Sequence, residues 1–173
     1  MTFLQEKDII MLGRSLGSGP ATHIAANFNP GGLILMSPYT SIKSVATNKV
    51  GFLSVLLAQQ FDNLSKMHQV TCPTFIVHGE KDKLIPISHA LALKDRCYGP
   101  TFFLSPPNMT HNDFDFYEDL IRPLMRFLVQ INMLQAFEQQ NKGSKSASRQ
   151  SDTDSCDGPS KPNLPLSQAS INT

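Results

Sequence analysis

The residues Ile9-Ile10-Met11-Leu12-Gly13-Arg14-Ser15-Leu16-Gly17 constrain this chain more than any other stretch: an apolar run breaks into Gly-x-Ser-x-Gly and leads into a helix-like segment. A serine hydroxyl is a poor nucleophile until a base takes its proton, and it must stand clear of the backbone to reach a carbonyl. A strand turning sharply into a helix achieves this by pushing the turn residue above the sheet in a strained conformation. Ser15 is therefore the candidate nucleophile. Gly13 and Gly17 flank it where side chains are expected to collide as strand and helix fold together. The N–H of Leu16, at the helix start, is the candidate oxyanion donor. A phosphate-binding loop is the rival reading of Gly13, Gly17 and Gly19. It fits poorly, because no Lys-Ser or Lys-Thr follows Gly19 and Thr22 stands where a dinucleotide fingerprint wants Gly or Ala.

Between Asp8 and Gln140 short apolar runs alternate with helical stretches, the pattern of βα units around a parallel sheet. Strands are expected at Ile9–Leu12, Leu33–Ser37, Thr74–His78 and Thr101–Leu104. Their uninterrupted apolar runs predict strands covered on both faces. Helices are expected over Leu16–Asn27, Ser41–Phe61 and Ser88–Cys97. A last helix has Asn112 or Asp113 as cap and Phe116, Leu120, Ile121, Leu124, Phe127, Leu128 and Ile131 on one face. Pro123 falls inside that pattern, so a kink or break is expected there. From about Asn141 to Thr173 no aromatic residue occurs and Ser, Asp, Lys, Gln and Pro dominate, which predicts a disordered tail.

The acid and base follow from position. His78-Gly79-Glu80-Lys81-Asp82 comes after the third strand, and Ser105 to Asp113 after the fourth. In an open parallel sheet the strand carboxyl ends share one edge, where ligands bind. Ser15, an acid and His111 thus converge, in the chain order serine, acid, histidine. His111 would accept the Ser15 proton while Asp82 holds its other nitrogen. Glu80 competes for the role of acid, with Asp82 preferred because it lies deeper in the turn. His23 and His89 fall in helical stretches, and His78 ends a strand, where a local hydrogen bond is expected.

Bulk properties exclude several other classes. A formal net charge of +1 gives no reason to expect nucleic acid as partner. The five histidines lack Cys or acid partners at ligand spacing, so no metal and no cofactor is expected. Three widely spaced cysteines, Cys72, Cys97 and Cys156, suit reduced thiols and a cytoplasmic setting. No run approaches the roughly 18 apolar residues of a membrane span.

Gly13 to Pro20, Ser37-Pro38-Tyr39-Thr40-Ser41-Ile42-Lys43, the run His78 to Pro86 and His111-Asn112-Asp113 together resemble the α/β-hydrolase-domain serine hydrolases of eukaryotes, the group that includes the protein depalmitoylases. The similarity covers about Asp8 to Leu128. It implies an α/β fold in which residues 1–140 form the C-terminal portion of a hydrolase domain and residues 141–173 a tail. It also implies that Ser15, Asp82 and His111 are the triad. The reaction implied is hydrolysis of an ester or thioester, with S-palmitoyl-cysteine of an acylated protein, or a lipid-like ester, as substrate at a cytosolic membrane face. Gly51 to Leu57 would be a wall for the acyl chain, with a buried helix as the equal alternative. The family's earlier strands and its second oxyanion loop have no counterpart before Ile9, so an N-terminally truncated form is expected, with the first strand as an exposed apolar edge. An inactive fragment that binds a partner through that edge is the alternative function.

Overall fold

The computed structural model describes residues 4–42 and 61–132. Within them, four strands, β1 (Ile10–Arg14), β2 (Gly32–Met36), β3 (Thr74–Val77) and β4 (Thr101–Leu104), form one parallel sheet in the order β1-β2-β3-β4. The α/β fold expected from the alternating pattern is present, with β4 as expected and the ends of the other strands moved by at most two residues. Most of the expected Ser41–Phe61 helix, the Gly51–Leu57 wall and the tail lie outside the described residues.

Strand order fixes where the helices go. Each strand pairs with the next in sequence, and parallel crossovers are right-handed, so successive connections fall on the same face. That face carries α1 (Ser18–Asn27), α2 (Asn63–Met67) and α3 (Ser88–Arg96), whose Ala21, Ala25, Met67, Ala90 and Leu93 pack with Leu33, Leu35 and Ile76 of the sheet. The face of α1 turned inward is Ser18, Ala21, Thr22 and Ala25, small residues at three- and four-residue steps that let the helix lie close on β1.

The opposite face is covered by the final helix, where Leu120, Phe127 and Ile131 pack on Ile34, Met36, Phe75 and Val77. Phe127 stacks on Phe75 at 5.6 Å between centroids and meets Phe102 edge-on at 5.2 Å. This cover stops short of β1. Strands β2 and β3 are buried throughout, but Ile10 and Leu12 remain 42% and 57% exposed. Burial on both faces, expected for all four strands, therefore holds for β2 and β3, is only partial along β4, and fails for β1, whose inner residues meet α1 while Ile10 and Leu12 on the other face stay exposed. The expected exposed apolar edge is present in the described sheet.

The final helix begins differently from expectation. Asp113 is occupied in closing a turn with Thr110, its N–H donating to Thr110 Oγ1 at 2.9 Å. The cap is instead Asp115, whose Oδ1 accepts from the N–H of Tyr117 and Glu118 at 2.9 and 2.8 Å. The first turns, Phe116–Ile121, are π-helical, with the Arg122 N–H bonding to Tyr117 O, and α-helix continues over residues 122–132. Pro123 has no N–H to give the preceding turn, so the irregularity falls just before it.

Candidate active site

The turn after β1 explains the glycine before the serine. A Cβ on Gly13 would lie 2.5 Å from Gly17 O, 2.7 Å from Ala21 Cβ and 2.8 Å from Ser18 Cα. Gly17 differs from expectation: a Cβ there would meet nothing within 4 Å. The chain leaves a 3₁₀ turn at Gly17 with a helical φ of −64°, so no collision has to be relieved. Between them Ser15 adopts φ 50°, a left-handed conformation that non-glycine residues avoid. Its carbonyl accepts from Ser18 Oγ at 2.7 Å, which braces the turn. Leu16 follows within the same 3₁₀ turn, at the head of α1.

The other two residues arrive on loops bonded to each other. Glu80 N–H donates to Pro106 O at 3.2 Å, Lys81 N–H donates to Met109 O at 3.1 Å, and Lys81 Nζ donates to Asn108 Oδ1 at 2.7 Å. The loop after β3 and the loop after β4 are therefore tied to each other. Asp82 is buried in it. Its Oδ1 accepts from the N–H of Leu84 and Ile85, both at 2.9 Å, which leaves Oδ2 facing His111 Nδ1 at 2.7 Å. With that N–H donating to the carboxylate, His111 Nε2 is the acceptor, and it stands 3.1 Å from Ser15 Oγ. The structure thus brings together all three side chains named from the sequence, and the acid in contact is Asp82 rather than Glu80, which is exposed.

An open groove of about 710 Å³ runs beside Asp82 and His111, bordered by Glu80, Lys81, Lys83, Thr110 and Asn112. No group of three or more His, Cys, Asp or Glu side chains among the described residues is arranged to hold a metal ion.

Two further residues touch the site. His78 is fully buried, with Nε2–H donating to Ile85 O at 2.8 Å and lying 3.5 Å from Asp82 Oδ2. The local bond expected for it is present. Its Nδ1 has no hydrogen-bond partner among the described residues, and burial holds its pKa below the ordinary value. An unfolded chain takes up this proton near the usual pKa of about 6.5, whereas the folded one resists it. The stability from a neutral His78 is therefore complete above that pH and is lost as pH falls below it, through the folded value. Melting curves between pH 7.5 and 5.5 should show the midpoint falling, with a smaller fall in His78→Gln. A midpoint flat over that range would contradict this account.

The second is Arg14, whose Nη2 donates to His111 O at 2.6 Å and to Asn112 Oδ1 at 3.0 Å.

No family model matches the chain. It is 33% identical over 130 residues to human "Alpha/beta hydrolase domain-containing protein 17B", across 73% of this chain and 43% of the relative. The chain has the fold of an α/β hydrolase and resembles these hydrolase-domain proteins over most of its length. A Caenorhabditis elegans member, "Alpha/beta hydrolase domain-containing protein aho-3", is 29% identical over 123 residues, 71% of this chain and 36% of that one. The chain spans less than half the length of these α/β-hydrolase relatives. Among solved structures, the acetyl xylan esterase of Paenibacillus sp. R4 superposes with a TM-score of 0.59 at 17% identity, over 72% of this chain and 46% of that one, a likeness of fold.

Sequence reasoning anticipated the α/β-hydrolase chain order and missed Arg14 and the second contact of His78. Arg14 occupies a variable position of Gly-x-Ser, and no spacing in the sequence connects it with a loop 97 residues away.

Proposed function

We propose that this α/β hydrolase is a serine hydrolase that cleaves an ester or thioester through an acyl-Ser15 intermediate. The observation that carries the reading is the continuous relay from Ser15 Oγ through His111 to buried Asp82. As Ser15 Oγ bonds to the substrate carbonyl carbon, its proton passes to His111 Nε2, and Asp82 stabilises the imidazolium. The Leu16 N–H is the donor assigned to the carbonyl oxygen as it becomes negative. His111 then protonates the departing alkoxide or thiolate. Water attacks the acyl-serine with His111 again as base, releasing a carboxylic acid and restoring Ser15.

The resemblance to the depalmitoylase group supports S-palmitoyl-cysteine of an acylated protein as substrate, with peripheral action at a cytosolic membrane face and no part for nucleic acid, metal or cofactor. No helix among the described residues is long and apolar enough to cross a membrane. Cys72 and Cys97 are free thiols, in keeping with a cytoplasmic setting.

A fluorophosphonate probe tests the reaction class. The chain should be labelled, and labelling should vanish in Ser15→Ala and His111→Ala. Hydrolysis of a palmitoyl-cysteine peptide in preference to a short-chain oxygen ester tests the substrate. A folded sample that reacts with neither would sink the reading and favour a second one, an interaction module that uses the exposed Ile10 and Leu12 of β1.

A further inference from the structure

Ser15 and His111 lie at opposite ends of the sheet in chain connectivity. Ser15 follows β1 and His111 follows β4, three strand spacings away, or about 14 Å. The histidine loop must therefore cross the whole carboxyl edge of the sheet to reach the nucleophile. Its first half is fastened over β3 by the bonds of Glu80 and Lys81 described above. Beyond Met109 the loop needs another anchor near β1.

Arg14 supplies it. This residue is the last of β1, in register with Met36 of β2, and it is covalently joined to Ser15. Its guanidinium donates to the backbone carbonyl of His111 and to the side chain of the next residue, Asn112, and lies 5.9 Å from the centroid of the Phe114 ring. One side chain thus holds three of the four residues from His111 to Phe114 against the strand that carries the nucleophile. A planar fork with several fixed donors suits two acceptors and a ring at once, which an ammonium cannot match. The contact is exposed on one side, so its value for global stability is small. Its effect falls on the 3.1 Å separation of Ser15 Oγ and His111 Nε2.

We infer that Arg14 is a positioning residue that sets the distance between nucleophile and base by clamping the histidine loop to β1. The inference rests on the serine hydrolase reading and deepens it. Displacing a reacting group by about 1 Å costs about 100-fold in rate, so Arg14→Ala should lower the maximal rate of fluorophosphonate labelling by about 10- to 100-fold. The concentration dependence of labelling and the melting temperature should stay near those of the unaltered chain. Arg14→Lys should be intermediate. Added guanidinium should restore part of the rate in Arg14→Ala and none in Arg122→Ala, a matched control in which the lost arginine pairs with Glu118 at 2.9 Å on the final helix. Hydrogen exchange across residues 106–114 should quicken in Arg14→Ala, with β2 and β3 unchanged.

Labelling of Arg14→Ala at the unaltered rate, or exchange in the loop that does not change, overturns the inference. An unaltered chain that never labels refutes the hydrolase reading instead, and the exchange comparison still decides the clamp.

Discussion

Asp82→Asn is expected to slow labelling of Ser15 by about 10⁴-fold, the scale on which a wrong imidazole tautomer acts. The substitution is nearly isosteric, and two of its contacts dictate the outcome. Oδ1 accepts from the N–H of Leu84 and Ile85, so the amide oxygen must stay on that side. The amide NH₂ is then forced towards His111 Nδ1, where the carboxylate oxygen accepted at 2.7 Å. A donor there requires Nδ1 to be unprotonated, which puts the imidazole proton on Nε2. That is the atom that has to accept from Ser15 Oγ. Both turn bonds survive, so the fold should persist while the base is disabled. The NH₂ would also face His78 Nε2–H, 3.5 Å from the present Oδ2, at a modest cost in stability. Labelling rates measured beside thermal melts separate the two effects. A folded Asp82→Asn chain that reacts within tenfold of the unaltered one would show that Asp82 does not orient the base.

The two glycines that flank Ser15 should behave in opposite ways. Gly13→Ala puts a methyl carbon 2.5 to 2.8 Å from a carbonyl oxygen, a Cα and a Cβ, none of which can swing aside like the end of a long side chain. Relief requires α1 to move off β1, and overpacking of this kind costs about 3 kcal/mol. Gly17→Ala enters open space at a helical φ, and removing glycine freedom from the unfolded chain stabilises by about 0.5 kcal/mol. Chemical denaturation of the two variants side by side should therefore give a large loss and a near-neutral change. Equal losses would mean that the symmetry of the motif, rather than the packing at one glycine, decides its conformation.

That contrast illustrates what the sequence can disclose. The symmetric spelling Gly-Arg-Ser-Leu-Gly suggests two equivalent glycines, but strand and helix approach each other only on the Gly13 side. The sheet was legible because a strand buried on both faces is apolar along its length, as Leu33–Met36 and Phe75–Val77 are. The same spelling at Ile9 to Leu12 misled, since a run of letters does not record which neighbours are present to cover it. Ser15, Asp82 and His111 were legible from chain order, because parallel strands bring their carboxyl ends to one edge. The cap at Asp115 was not, because Asn112, Asp113 and Asp115 are all competent and only the closed turn between Thr110 and Asp113 decides among them. Arg14 was out of reach for a different reason: a bond made across three strands leaves no trace in local pattern.

In the described sheet the nucleophile follows the outermost strand, which is hydrogen-bonded to a neighbour strand along one side only. Peripheral segments of this kind open at lower free energy than the centre of a fold. Release of β1 would take Ser15 and Arg14 away together, leaving β2 to β4 with Asp82 and His111 still zipped to each other. Nucleophile and loop anchor would thus be lost in one event, while acid and base stay joined, so the site divides into a serine half and a histidine half along the line between β1 and β2.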